Sequence, residues 1–145
     1  MNQKHKNGII SEYLAAAWFT NNGFTVSWPS DCFGEYDFII DDKVNSPKRV
    51  QVKTIFFDNG KGRYIGNTVL SHRLSNGHTI NKKYSDNSFD LCAFVCRDYN
   101  AIYILPIELV KNRRCITFYP DGSEPNYRCK CNYESYKETL ITIYE

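Results

Sequence analysis

A chain of 145 residues has room for one hydrophobic core and not for two of ordinary size, so one domain spanning 1–145 is expected. Hydrophobic residues at 42% and aromatics at 15% bury enough surface to exclude a disordered segment, and they favour a strand-rich globular fold. The formal net charge of +2, from 18 Lys and Arg against 16 Asp and Glu, neither requires nor excludes a nucleic-acid partner, because binding follows clustering more than totals.

The opening MNQKHKNG has no apolar h-region, and no apolar run approaches the roughly 20 residues of a spanning helix, so the expectation is a cytoplasmic protein with no membrane association. In that compartment the six cysteines are read as free thiols. From Gly8 to about Asn22 the apolar positions Ile10, Tyr13, Leu14, Ala17 and Trp18 recur at helical spacing, and Asn21-Asn22-Gly23 supplies the stop. Three strands follow: Phe24 to Trp28, halted by Pro29; Tyr36 to Asp41; and Arg49 to Phe57.

The stretch 58–87 is rich in Asn, Gly, Ser and Lys. It reads as one strand, RYIGNTVL, followed by an exposed polar excursion. FDLCAFVC and AIYILPIEL are two further strands joined by the turn at Arg97 to Asn100, and RCITFY and ETLITIY read as edge strands. Cys92 and Cys96 fall on one strand face and read as small core residues. Cys129 and Cys131 form a CxC without the partners a four-ligand zinc site needs.

Gln51 and Lys53 lie two apart in one strand and therefore share a face, opposite Val50 and Val52. If the strand carrying Asp37 is their neighbour, Asp37 meets them at one end of the sheet, and Glu12 on the first helix approaches from above. Two carboxylates, an amide and an ammonium suit phosphodiester hydrolysis. That reaction needs hard oxygen ligands for Mg²⁺, a cation against developing charge and a positioned water. Glu35, two residues before Asp37, would share its face if the strand extended that far, and would then offer another carboxylate.

Through G-x-x-x-E (Gly8, Glu12), Y-D-x-I-I (Tyr36 to Ile40) and Q-V-K-T (Gln51 to Thr54), in that order, the sequence resembles the PD-(D/E)XK nuclease superfamily. Within it, the sequence is most similar to the group I intron-encoded homing endonucleases, whose cores also carry Q-x-K. The likeness covers residues 8 to 115. It includes Ser71 to Arg73, the strand before Arg97, and Tyr103 to Ile107.

The resemblance implies an α/β, restriction-endonuclease-like αβββαβ core with a central mixed sheet, acting as a site-specific endonuclease on double-stranded DNA. It implies Glu12, Asp37, Gln51 and Lys53 as catalytic residues. Asp37, the Val52 carbonyl, Gln51 and Glu12 would hold Mg²⁺, for which Mn²⁺ could substitute, and Lys53 would orient the water. Tyr36 replaces the motif's Pro, and Gln51 replaces a carboxylate, giving up one negative charge at the metal.

His72, Arg73, His78, Lys82 and Lys83 in the excursion, with Arg113 and Arg114 after a later strand, are candidate DNA contacts. One active site per chain means that cutting both strands calls for a homodimer or homotetramer. Two other readings share the motif: a Holliday-junction resolvase preferring branched DNA, and a catalytically weak DNA-binding protein that kept the fold. An unrelated α/β structural protein would show no DNA affinity at low salt.

Overall fold

In the computed structural model, residues 1–30, 34–123 and 133–142 are described, with residues 70–73 described by backbone alone. The helix α1 spans Gln3–Asn21. Asn2 caps its start, the side chain accepting from the His5 N–H at 2.9 Å. At its end Gly23, at φ +91°, lets the Gly23 and Phe24 N–H groups turn back onto the Thr20 and Phe19 carbonyls. Asn21 to Gly23 is thus the stop the sequence marked, while the start lies a turn and a half earlier than Gly8.

The buried face of α1 is Ser11, Ala15, Ala16 and Phe19. Tyr13 and Ala17, expected on the apolar stripe, are exposed. Small side chains at 15 and 16 let the helix lie close to the sheet, and this turns the stripe toward Ser11 and its neighbour Glu12.

The main sheet has six strands in the order β1 (Thr25–Ser27), β2 (Phe38–Asp41), β3 (Lys48–Thr54), β8 (Leu91–Cys96), β9 (Ala101–Pro106), β11 (Lys137–Thr139). Neighbours are antiparallel except β3 and β8, which run parallel in register from Val50 opposite Leu91 to Thr54 opposite Val95. The sheet is therefore mixed, as expected. Between β3 and β8 the αβββαβ order calls for a second helix; in this chain the crossover is built from strands instead.

Those strands are β4 (Phe56–Asp58), β5 (Arg63–Asn67), β6 (Val69–Arg73) and β7 (Thr79–Lys83). The segment has no 3.6-residue apolar stripe, and glycines at 60, 62, 66 and 77 penalise a helix. β4 and β5 join β10 (Cys115–Phe118) in a small antiparallel sheet, and β6 and β7 form a two-stranded ribbon. The expected single strand RYIGNTVL is broken at Thr68, whose hydroxyl and N–H are taken by the Arg113 and Arg114 carbonyls at 2.5 and 3.0 Å.

Two apolar clusters sandwich the main sheet. Val50, Val52, Phe38 and Ile40 face α1 with Ala15 and Phe19, while Cys92, Phe94, Tyr103 and Phe118 pack on the far face under the small sheet. There a Cβ at Gly66 would sit 2.6 Å from the Phe94 ring, so only glycine allows the approach. Cys92 and Cys96 are buried free thiols in that far-side core. Cys129 and Cys131 lie outside the described residues.

Candidate active site

The β2–β3 ladder ends at Phe38 opposite Val50, with one more bond from the Asp37 N–H to the Val50 carbonyl at 2.8 Å. Beyond it the strands part, and the Val52 N–H has no strand to donate to on that edge. The Asp37 side chain fills the place, Oδ2 accepting from the Val52 N–H at 2.7 Å. Because N–H and C=O of one extended residue face the same edge, the Val52 carbonyl also opens into this gap. Gln51 Nε2 donates to that carbonyl at 3.3 Å. A half-turn of the amide would present Oε1 instead, the two ends being alike in shape.

Glu12 and Asp37 hydrogen-bond through their side chains, so the two carboxyls share the gap. Glu12 is pushed up to about 7, by burial first and then by the Asp37 charge beside it. Burial also raises Asp37, against the Val52 N–H, the Lys53 ammonium and the Glu12 hydrogen bond, which pull it down. Lys53 is lowered, chiefly by burial and also by Lys4, while Cys92 and Asp37 pull it up.

The sequence expectation that Asp37 meets Lys53 at one end of the sheet carries a further one, that both lie on the surface. Both are instead half-buried, since Lys53 points away from α1 toward the far-side core, its Nζ 5.3 Å from the centre of the Tyr84 ring. The Ser11 and Thr54 hydroxyls, 2.7 Å apart, pin α1 to β3 one residue from Glu12 and one from Lys53. A cleft of about 750 Å³ opens over this region, lined by Glu12, Val52, Lys53 and Thr54 together with Lys4, Asn67 and Val69.

Glu12, Asp37, Gln51, Val52 and Lys53 are thus brought to one place. Glu35, like Asp37, precedes β2, and its charge acts with that of Asp37 on the Tyr84 hydroxyl, but among the described residues no three His, Cys, Asp or Glu side chains converge as a metal site would require. A cation here would rest on two carboxylates, a carbonyl and an amide oxygen. That all-oxygen set is what a hard ion takes, and two adjacent carboxyls held above their ordinary values are short of positive charge, so the residues fit Mg²⁺.

Lys82 and Lys83 are exposed on the ribbon's β7 strand, as is His78 just before it. His72 and Arg73 lie on its β6 strand, and their side chains fall outside the described residues. Arg113 and Arg114 are exposed, and their carbonyls bracket Thr68 at the ribbon's root, so this second cationic point adjoins the first. Sequence reasoning missed Ser11, Thr54 and Tyr84 as parts of the site. An aromatic closing the polar run KKY was the available signal that the chain there returns to the core.

The sequence pattern of the PD-(D/E)XK endonucleases matches residues 1–126. The chain belongs to this family. Its fold is also that of a solved bacterial homing endonuclease, I-Ssp6803I, at 18% identity and a TM-score of 0.76, with 94% of this chain and 89% of that one covered. No curated protein matches the sequence. No helix among the described residues is long and apolar enough to cross a membrane, which says nothing of a β-barrel.

Proposed function

We propose that this endonuclease-family protein is a Mg²⁺-dependent, site-specific nuclease of double-stranded DNA, with Glu12, Asp37, Gln51 and Lys53 as its catalytic residues. One observation carries the reading: Asp37 is bonded at once to the Val52 N–H and to Glu12, with Gln51 on the Val52 carbonyl and the Lys53 ammonium beside it. Asp37, Glu12, the Val52 carbonyl and the Gln51 amide oxygen would hold Mg²⁺, or Mn²⁺ in its place. Such an ion supplies Lewis-acid polarisation of the phosphate and lowers the pKa of water.

The protein's own groups do the rest. Lys53, half-buried where the effective dielectric is low, stabilises charge building on the phosphate oxygens and orients the attacking water. Glu12 keeps its proton to about pH 7 and must release it to serve as a ligand, which ties cation binding to pH near neutrality. Gln51 orients without adding charge.

The β6–β7 ribbon supports the duplex substrate, because a two-stranded ribbon fits the major groove, where base edges are distinguishable. Lys82 and Lys83, with His72 and Arg73, lie on that ribbon. Arg113 and Arg114 at its root would take backbone phosphates. With one site per chain, cutting both strands requires a homodimer or homotetramer on a target of matching symmetry.

The test is cleavage of a randomised duplex library in Mg²⁺ and in EDTA, with a four-way junction as competitor. Enriched duplex sites cut only with Mg²⁺ are expected. Preference for the junction would replace this reading with a resolvase, and binding without cutting would leave a DNA-binding protein that kept the fold.

A further inference from the structure

A lysine ammonium on a four-carbon stem needs something to hold it at a reacting phosphate. Among the described residues Lys53 makes no hydrogen bond and no ion pair that would do so. What it does have is a ring: Nζ stands 5.3 Å from the centroid of Tyr84, within reach of the negative π-face. We propose that Tyr84 is the positioning residue for the Lys53 ammonium, an inference that rests on the nuclease reading above.

Tyr84 is well placed for this. It is 2% exposed, and fully buried Phe89 meets it nearly edge-on, with ring centroids 4.9 Å apart and planes at 72°, so the ring cannot swing away. Burial on this scale keeps water off the lower side of the ammonium and strengthens the attraction between cation and ring. The Tyr84 hydroxyl is buried and has no hydrogen-bond partner among the described residues, so the ring, not a hydrogen bond, is what this side chain brings to the site.

Tyr84 also follows directly on Lys83, the last residue of the ribbon's return strand. A duplex seated on Lys82 and Lys83 would therefore bear on the residue next to the one that holds the catalytic ammonium.

The test combines single-turnover cleavage, Mn²⁺ calorimetry and thermal melting of wild type, Tyr84→Met, Tyr84→Phe, Lys53→Met and the double variant Tyr84→Met with Lys53→Met. Tyr84→Met fills the space without a π-face and should lower kcat about tenfold, leaving KM for DNA and Mn²⁺ affinity unchanged. Tyr84→Phe restores the ring and should recover kcat to within about threefold of wild type, as a face lost or kept dictates. In the double variant the second change should add less than about twofold, because one interaction is removed only once.

Phe118→Leu disturbs the far-side core where it stacks on Phe94 and Tyr103, away from the Tyr84 ring and the ammonium, and it should lower the melting temperature while sparing kcat. In the metal-free protein an upfield ring-current shift of the Lys53 ε-methylene should be present in wild type and Tyr84→Phe and absent in Tyr84→Met. If the two single losses multiply, or Tyr84→Phe is as slow as Tyr84→Met, the inference fails while the nuclease reading stands. A wild type that cuts nothing with Mg²⁺ or Mn²⁺ overturns the nuclease reading, and this inference with it.

Discussion

Replacing Glu12 with Gln should make the metal-free protein more stable, by a gain that grows as pH rises from 4.5 to about 7 and is complete above it. The folded state holds the Glu12 carboxyl up to about 7 against an ordinary 4.5. Below the lower value the carboxyl is neutral in both states. Between the two, the unfolded chain has released a proton that the folded chain keeps, so stability falls as pH rises, and above about 7 the loss is complete. At about 1.4 kcal/mol per pKa unit the full shift corresponds to about 3 kcal/mol, and screening of a half-buried group brings the usable figure to about 1–2 kcal/mol. Gln never pays this charge penalty, and its amide can still donate to Asp37. Urea unfolding in EDTA at about pH 4 and about pH 8 should therefore give nearly matched stabilities at the lower pH and a gain of about 1–2 kcal/mol for Glu12→Gln at the higher. Excess Mg²⁺ should reverse the gain, because the ion stabilises only a charged site. Equal stabilities of the two proteins at both pH values would refute the claim that Glu12 is desolvated beside Asp37.

Three further outcomes are expected. Asp37→Ala should cost about 1–3 kcal/mol in urea unfolding, since it strands the buried Val52 N–H, while Asp37→Asn keeps an acceptor there and should lose divalent-cation binding with little loss of stability. Gln51→Glu should tighten Mn²⁺ binding in calorimetry by restoring a negative charge at the Val52 carbonyl; weaker binding would mean that the neutral amide has a role no carboxylate fills. Changing Lys82 and Lys83 together to Ala should reduce the slope of log affinity for duplex DNA against log salt by about 2, and an unchanged slope would remove the ribbon from the interface.

The strand and helix signals that depend on local chemistry were legible. Asn21 to Gly23 ends α1 because a left-handed glycine is needed there, and the period-2 pattern of Gln51 and Lys53 against Val50 and Val52 gave the two faces of β3. The motif order placed Glu12, Asp37, Gln51 and Lys53, and the chain folds so that they meet. What was not legible depends on partners remote in sequence. The break at Thr68 is made by the Arg113 and Arg114 carbonyls, roughly 45 residues on, and nothing in RYIGNTVL announces it. Gly66 reads as a weak point in a strand until Phe94 and Phe118 are seen against it. Likewise the crossover from β3 to β8 had to carry some structure, and only the absence of a helical stripe hinted that strands would supply it. Tyr84 looked like the tail of a polar loop because its value lies in Lys53, on another strand.

The central claim is that the cluster at the parting of β2 and β3 cuts DNA, and single-turnover cleavage by wild type and Lys53→Met on a selected duplex tests it most directly. Lys53→Met keeps the stem in the far-side core and removes only the charge, so the fold should be retained. A drop of about 10² to 10³ in the cleavage rate, with Mg²⁺ required by the wild type, is the predicted result. Cleavage by Lys53→Met at the wild-type rate would contradict the account and place the chemistry elsewhere on the protein.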